Sequence, residues 1–125
     1  MRLLLDTHVF LWAIAESPLL KPAMRRVVES ADQVYVSAAS IWEIAIKAQL
    51  GKIAANPDEV VTAIEESGFL ELPVRAAHTA EVVKLPLYHN DPFDRILVAQ
   101  AITEPLKLLT SDGVLGQYSD VVILI

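Results

Sequence analysis

Four acidic residues have the greatest chemical reach in this sequence. Asp6 follows the apolar run Leu3-Leu4-Leu5, and Glu43 closes Ser40-Ile41-Trp42-Glu43. Asp94 closes Asp91-Pro92-Phe93-Asp94, and Asp112 stands just past Leu108-Leu109-Thr110. Each has an ordinary structural reading. Ser40 to Glu43 has the form of a capping box, with Glu43 reaching back to the cap backbone. Asp91 is a helix cap, with Pro92 at the first position and Asp94 where the helix dipole favours an acid. Asp112-Gly113 reads as a turn, and Asp6 as the end of a strand. Gathered in one place they mean something else, because crowded carboxylates repel and raise one another's pKa. A hard cation relieves that cost, and Mg²⁺ or Mn²⁺ prefers oxygen ligands.

The secondary-structure elements decide whether the acids meet. The pattern predicts strands at 3–5, 34–36, 69–72, 107–110 and 121–125. Helices are expected at 8–15, 22–30, 40–49, 57–67, 75–84 and 92–102, with a break at Ser17-Pro18 and a stop at Gly51. Strands alternating with helices indicate an α/β fold, a mostly parallel sheet with helices on both faces. Ligands in such sheets bind beyond the carboxyl ends of the strands. Asp6 and Asp112 fall at strand ends there, and Glu43 and Asp94 in the first turns of helices. All four are expected on the same edge. The length of 125 residues suits one domain spanning 1–125.

Composition narrows the class. Hydrophobic residues make up 54% of the chain, and mean hydropathy is +0.43. Polar or charged residues interrupt every apolar stretch before the roughly 20 residues of a membrane span. The excess is therefore read as surface that packs on another chain. Asp6 and His8 interrupt the first apolar run, so no secretion signal is expected. There is no cysteine, which suits a reducing cytoplasm. A net charge of −6 excludes broad, non-specific coating of nucleic acid.

Four blocks stand out: Leu4-Leu5-Asp6-Thr7-His8, the run from Ser37 to Ile44, the run from Asp91 to Ala101, and Leu109-Thr110-Ser111-Asp112. Together they resemble the PIN domain family, and most of all its VapC-type toxins of bacterial toxin–antitoxin pairs. They fall in the family's order, and the resemblance covers essentially the whole chain. It implies a three-layer α/β/α sandwich around five strands, with Asp6, Glu43, Asp94 and Asp112 binding Mg²⁺ or Mn²⁺. It also implies an endoribonuclease that cuts single-stranded RNA to a 5′-phosphate and a 3′-hydroxyl, a cognate antitoxin and a homodimer. Asp6 and Asp94 are the expected principal ligands, with Glu43 and Asp112 completing the shell or orienting the attacking water. Thr7 and Ser111 occupy hydroxyl positions that in such proteins help hold a metal or its water, and Asp91 is the less secure acid. Thr103-Glu104-Pro105 departs from the family's smaller turn residues.

The remaining candidates read more plainly. Arg95 follows a proposed ligand, within reach of phosphate, although a surface ion pair is the commoner role. Lys47 suits an i,i+4 pair with Glu43. His8 and His89 flank the expected pocket without zinc-ligand spacing. Trp12 and Trp42 sit among apolar residues at helical spacing and read as core rather than as base-stacking platforms. Two other classes compete with the enzyme. One is a catalytically inactive PIN-like module that binds RNA or protein. The other is a phospho-accepting receiver domain, which lacks here its adjacent acids at the first strand and its Lys after the last.

Overall fold

The computed structural model covers residues 1–125. Its sheet has five strands, all parallel, in the order β3-β2-β1-β4-β5. These are β1 (Arg2–Leu5), β2 (Gln33–Ser37), β3 (Leu70–Leu72), β4 (Lys107–Thr110) and β5 (Val122–Leu124). The helices are α1 (Thr7–Ile14), α2 (Pro22–Ser30), α3 (Ala38–Gln49), α4 (Pro57–Glu66), α5 (Ala76–Glu81) and α6 (Pro92–Thr103). A 3₁₀ turn, Val82–Lys84, extends α5, and another, Leu115–Gln117, joins β4 to β5.

Alternation along the strands builds the three layers. Leu3 and Leu5 of β1, with Val34 and Val36 of β2, join Val9, Phe10, Met24 and Ile64 in a core on one face. Leu4 turns to the opposite face, where it meets Leu97, Val98 and Ala101 of α6 and Leu108 of β4. Leu3, Leu4 and Leu5 are fully buried, as a central parallel strand covered on both sides requires. The three-layer α/β/α sandwich expected from the sequence is the fold of the chain.

Local signals set most of the element boundaries. Asn56 caps α4 by accepting from Asp58 N (2.9 Å), with Pro57 at the first helical position. Gly51 ends α3 at φ +72°, while Lys52 N donates to Lys47 O at 2.8 Å. The expected start of α3 needs correction. Ser37, not Ser40, is its cap, and the Ser37 hydroxyl accepts from Ala39 N at 3.0 Å. Glu43 therefore lies in the second turn and forms no capping box. The predicted helix 75–84 divides into α5 and the 3₁₀ turn after it.

Because β2 and β3 run outward from one side of β1 and β4 from the other, the chain's direction of winding reverses between β1 and β4. A crevice opens at the carboxyl ends of strands at such a switch point. Asp6 follows β1 and Asp112 follows β4, one on each side of it.

Candidate active site

Asp6 forms the floor of the crevice. It is only 4% exposed, and the Thr110 hydroxyl donates to its Oδ2 at 2.7 Å. Its other oxygen, Oδ1, is buried with no partner. Burial pushes the Asp6 carboxyl above its ordinary value, against the pull of Thr110 and with a small push from Glu43. Glu43 reaches in from α3 and is also 4% exposed. Lys47, one turn on, donates to Glu43 Oε2 at 2.7 Å, which raises the Lys47 pKa. Glu43 Oε1, like Asp6 Oδ1, is buried and partnerless. Each buried acid thus has one oxygen committed and one free.

The rim is built from Asp94, Asp112 and His89. Asp94 stands in the first turn of α6, where Asp91 caps the helix by accepting from Phe93 N (2.8 Å) and Asp94 N (3.3 Å). Burial, helped by the charges of Asp6 and Asp91, pushes Asp94 up to about 7, with His89 pulling the other way. His89 Nε2 lies 3.1 Å from Asp94 Oδ2 and 3.1 Å from Asp112 Oδ2. One ring nitrogen of His89 and one carboxylate oxygen each of Asp94 and Asp112 all lie within 4.8 Å of one another.

The secondary candidates sort themselves by contact. Thr7 is buried and donates to Ser40 Oγ at 2.8 Å, tying α1 to α3 beneath the acids. Ser111 is exposed, and the hydroxyl against Asp6 belongs to Thr110 instead. Thr110 is the last residue of β4 and fully buried, whereas Ser111 lies just past the strand. Thr110 also accepts from Asp112 N at 3.0 Å, which fixes the turn that carries Asp112. Arg95 corrects both readings offered for it. It is buried, and its guanidinium donates to the Val82 (3.1 Å) and Pro86 (2.9 Å) carbonyls and to the Tyr118 hydroxyl (3.2 Å). It braces the loop before α6 and offers nothing to phosphate.

Trp42 is also corrected. It is 64% exposed rather than core, and packs edge-on against Phe93 with ring centroids 5.2 Å apart. Trp12 does pack against the core. His89 had no spacing signal, because its partners lie five and 23 residues further along the chain and only the fold brings them together.

A divalent cation fits what these residues provide. Two buried carboxylate oxygens lack partners, and the carboxylates around them are hard oxygen donors, the set that Mg²⁺ and Mn²⁺ prefer. Leaving such buried oxygens unpaired is otherwise costly.

Comparison with known proteins places this geometry in a family. The pattern of the family described as PIN domain matches residues 3–121. Ribonuclease VapC22 of Mycobacterium tuberculosis is 31% identical over 118 residues, covering 87% of this chain and 85% of that protein. Two solved structures share the fold at lower identity. One is VapBC2 from Rickettsia felis bound to a DNA fragment from its promoter (TM-score 0.69, 16% identity, 100% of this chain and 98% of that one). The other is a toxin–antitoxin complex from Klebsiella pneumoniae (TM-score 0.67, 18% identity, 96% and 94%). The carboxylate-lined crevice at the β1/β4 switch point thus sits in a chain that belongs to the PIN domain family.

Proposed function

We propose that this protein is a divalent-metal-dependent endoribonuclease, the toxin of a toxin–antitoxin pair, acting through Asp6, Glu43, Asp94 and Asp112. The observation that carries the reading is the pair of buried, partnerless oxygens, Asp6 Oδ1 and Glu43 Oε1, beside an Asp94 pushed up to about 7. Kinship with a protein named as a ribonuclease supports RNA as the substrate.

Asp6 and Asp94 would be the principal ligands of Mg²⁺ or Mn²⁺, with Glu43 and Asp112 completing the shell. A divalent cation supplies Lewis-acid charge to the phosphate and makes water a stronger nucleophile at neutral pH. The chain's own groups prepare for it. Thr110 occupies Asp6 Oδ2 and Lys47 occupies Glu43 Oε2, so the free oxygens are fixed in place before a cation arrives. With its carboxyl pushed up to about 7, Asp94 would give up its proton as a cation binds. Asp112, part-exposed on the β4–β5 connection, would orient the attacking water.

The surface suits protein partners. Trp42, Val83 and Leu87 are 64%, 84% and 79% exposed. A groove of about 530 Å³, lined by Leu11, Trp12, Ile53 and Val60 among others, runs beside α1 and α4. A second apolar groove lies between Trp42, Val74 and Phe93. Together they suit an amphipathic antitoxin helix and a second copy of the chain. No helix is long and apolar enough to cross a membrane.

The test is cleavage of total cellular RNA by the purified chain with Mg²⁺ or Mn²⁺ and with EDTA, alongside Asp94→Asn, with new 5′ ends mapped. Discrete cuts that need metal and vanish in the variant are expected. Identical patterns from both chains would leave a non-cleaving binding module as the better account.

A further inference from the structure

The loop before α6 holds a histidine, His89, that is hydrogen-bonded through both its backbone and its ring. The His89 backbone N–H donates to the Tyr118 hydroxyl at 2.8 Å, and that hydroxyl lies 3.3 Å from the His89 carbonyl. Arg95 reaches the same carbonyl at 3.4 Å while anchored on Val82 and Pro86. The ring is fixed as well, because Asp91 N–H donates to His89 Nδ1 at 3.0 Å. An Nδ1 that accepts a hydrogen bond carries the lone pair, so the ring proton sits on Nε2. That N–H donates to Asp112 Oδ2 at 3.1 Å, and Asp94 Oδ2 stands at the same distance.

We propose that His89 is a positioning residue of the site, whose Nε2–H holds the Asp94 and Asp112 carboxylates together and whose ring is withheld from the metal. Asp94 rides on α6 and Asp112 on the β4–β5 connection, and a donor shared between the two lowers the cost of holding like charges close. To ligate a cation through Nε2, the ring would need its proton on Nδ1, where it would face the Asp91 N–H, donor against donor. The site is thereby kept to oxygen ligands, which favours Mg²⁺ and Mn²⁺ over Zn²⁺. Arg95, Tyr118 and the Asp91 backbone serve the site by aiming this one N–H. The inference rests on the proposed carboxylate metal site and deepens it.

Two measurements test it. Long-range ¹H–¹⁵N spectra of the wild-type imidazoles, with and without Mg²⁺, report where the His89 proton resides. Calorimetric titration with Mn²⁺ compares wild type, His89→Ala and His89→Gln, the last of which retains an N–H donor at similar reach. The Nε2–H form is expected in both spectra. Mn²⁺ affinity is expected to fall by roughly 10-fold or more in the alanine variant and to recover largely in the glutamine variant. A proton found on Nδ1 after Mg²⁺ is added would make His89 a ligand and overturn the proposal. So would an alanine variant that binds Mn²⁺ as tightly as wild type. Wild type failing to bind Mn²⁺ at all would bring down the metal site itself, and the role of His89 with it. The spectra need no variant, so a variant that fails to fold leaves the proton position measurable.

Discussion

The two edges of the sheet treat charge in opposite ways. At the amino edge, the N-terminal ammonium pairs with Asp32. Arg2 donates to Gln33 Oε1 (3.3 Å), the Glu104 carbonyl (3.0 Å) and Tyr35 OH (3.4 Å), and Lys107 donates to the Asp120 carbonyl (3.0 Å). At the carboxyl edge, only Lys47 and the two histidines His8 and His89 face Asp6, Glu43, Asp91, Asp94 and Asp112. The ammonium holds Asp32 below the ordinary carboxylate value, whereas burial and neighbouring acids push Asp94 up to about 7. Both are aspartates flanking the same sheet. The amino edge is arranged to fold, and the carboxyl edge keeps an imbalance that a cation relieves.

That contrast can be broken most forcefully at Asp94. Asp94→Asn should lower metal-dependent RNA cleavage by at least roughly 100-fold, beyond the loss expected for a residue outside the ligand shell. The same variant, freed of a buried charge, should melt no lower than wild type when metal is absent. Leu4→Ala tests the core shared by both edges. It should cost about 2–5 kcal/mol, read as a lower urea midpoint, with little change in the metal affinity of the folded protein.

The pH dependence sharpens the comparison. A carboxylate raised in the folded state contributes stability that is fully present below its unfolded value, near 3.8, and is lost as pH rises through the folded value, about 7 for Asp94. Asp6 acts in the same direction. Metal-free protein should therefore melt several degrees higher at pH 5.5 than at pH 8 in thermal scans. Saturating Mg²⁺ should narrow that gap, since a ligand at 100 times its Kd stabilises by about 2.7 kcal/mol and binds the ionised form. The smallest effect belongs to the amino edge. Asp32→Asn removes an exposed partner of the N-terminus and should leave the melting midpoint unmoved within error.

The layers of the fold and the shared edge of the four acids were legible in the sequence because both follow from where strands end and helices begin. A short continuous apolar run placed Leu3, Leu4 and Leu5 in a buried strand, and Asn56-Pro57 and Asp91-Pro92 marked helix starts. What stayed hidden depends on direction or on distant partners. Thr110 and Ser111 are adjacent hydroxyls, and only where β4 ends tells which one meets Asp6. Ser37 and Ser40 both suit a cap, and the first took the role because β2 runs straight into α3. Trp42 has helical spacing, but its face of α3 is left uncovered in the single chain. His89 and Tyr118 meet across 29 residues, beyond the reach of any spacing rule.

The most direct test of the central claim is to locate a cation. Crystals grown with Mn²⁺ and measured at the manganese edge would show it by anomalous scattering. An ion is predicted within the crevice bounded by Asp6, Glu43, Asp94 and Asp112, touching at least one of the two partnerless oxygens. A map without an ion there, from crystals in which Mn²⁺ binds elsewhere on the surface, would contradict the account.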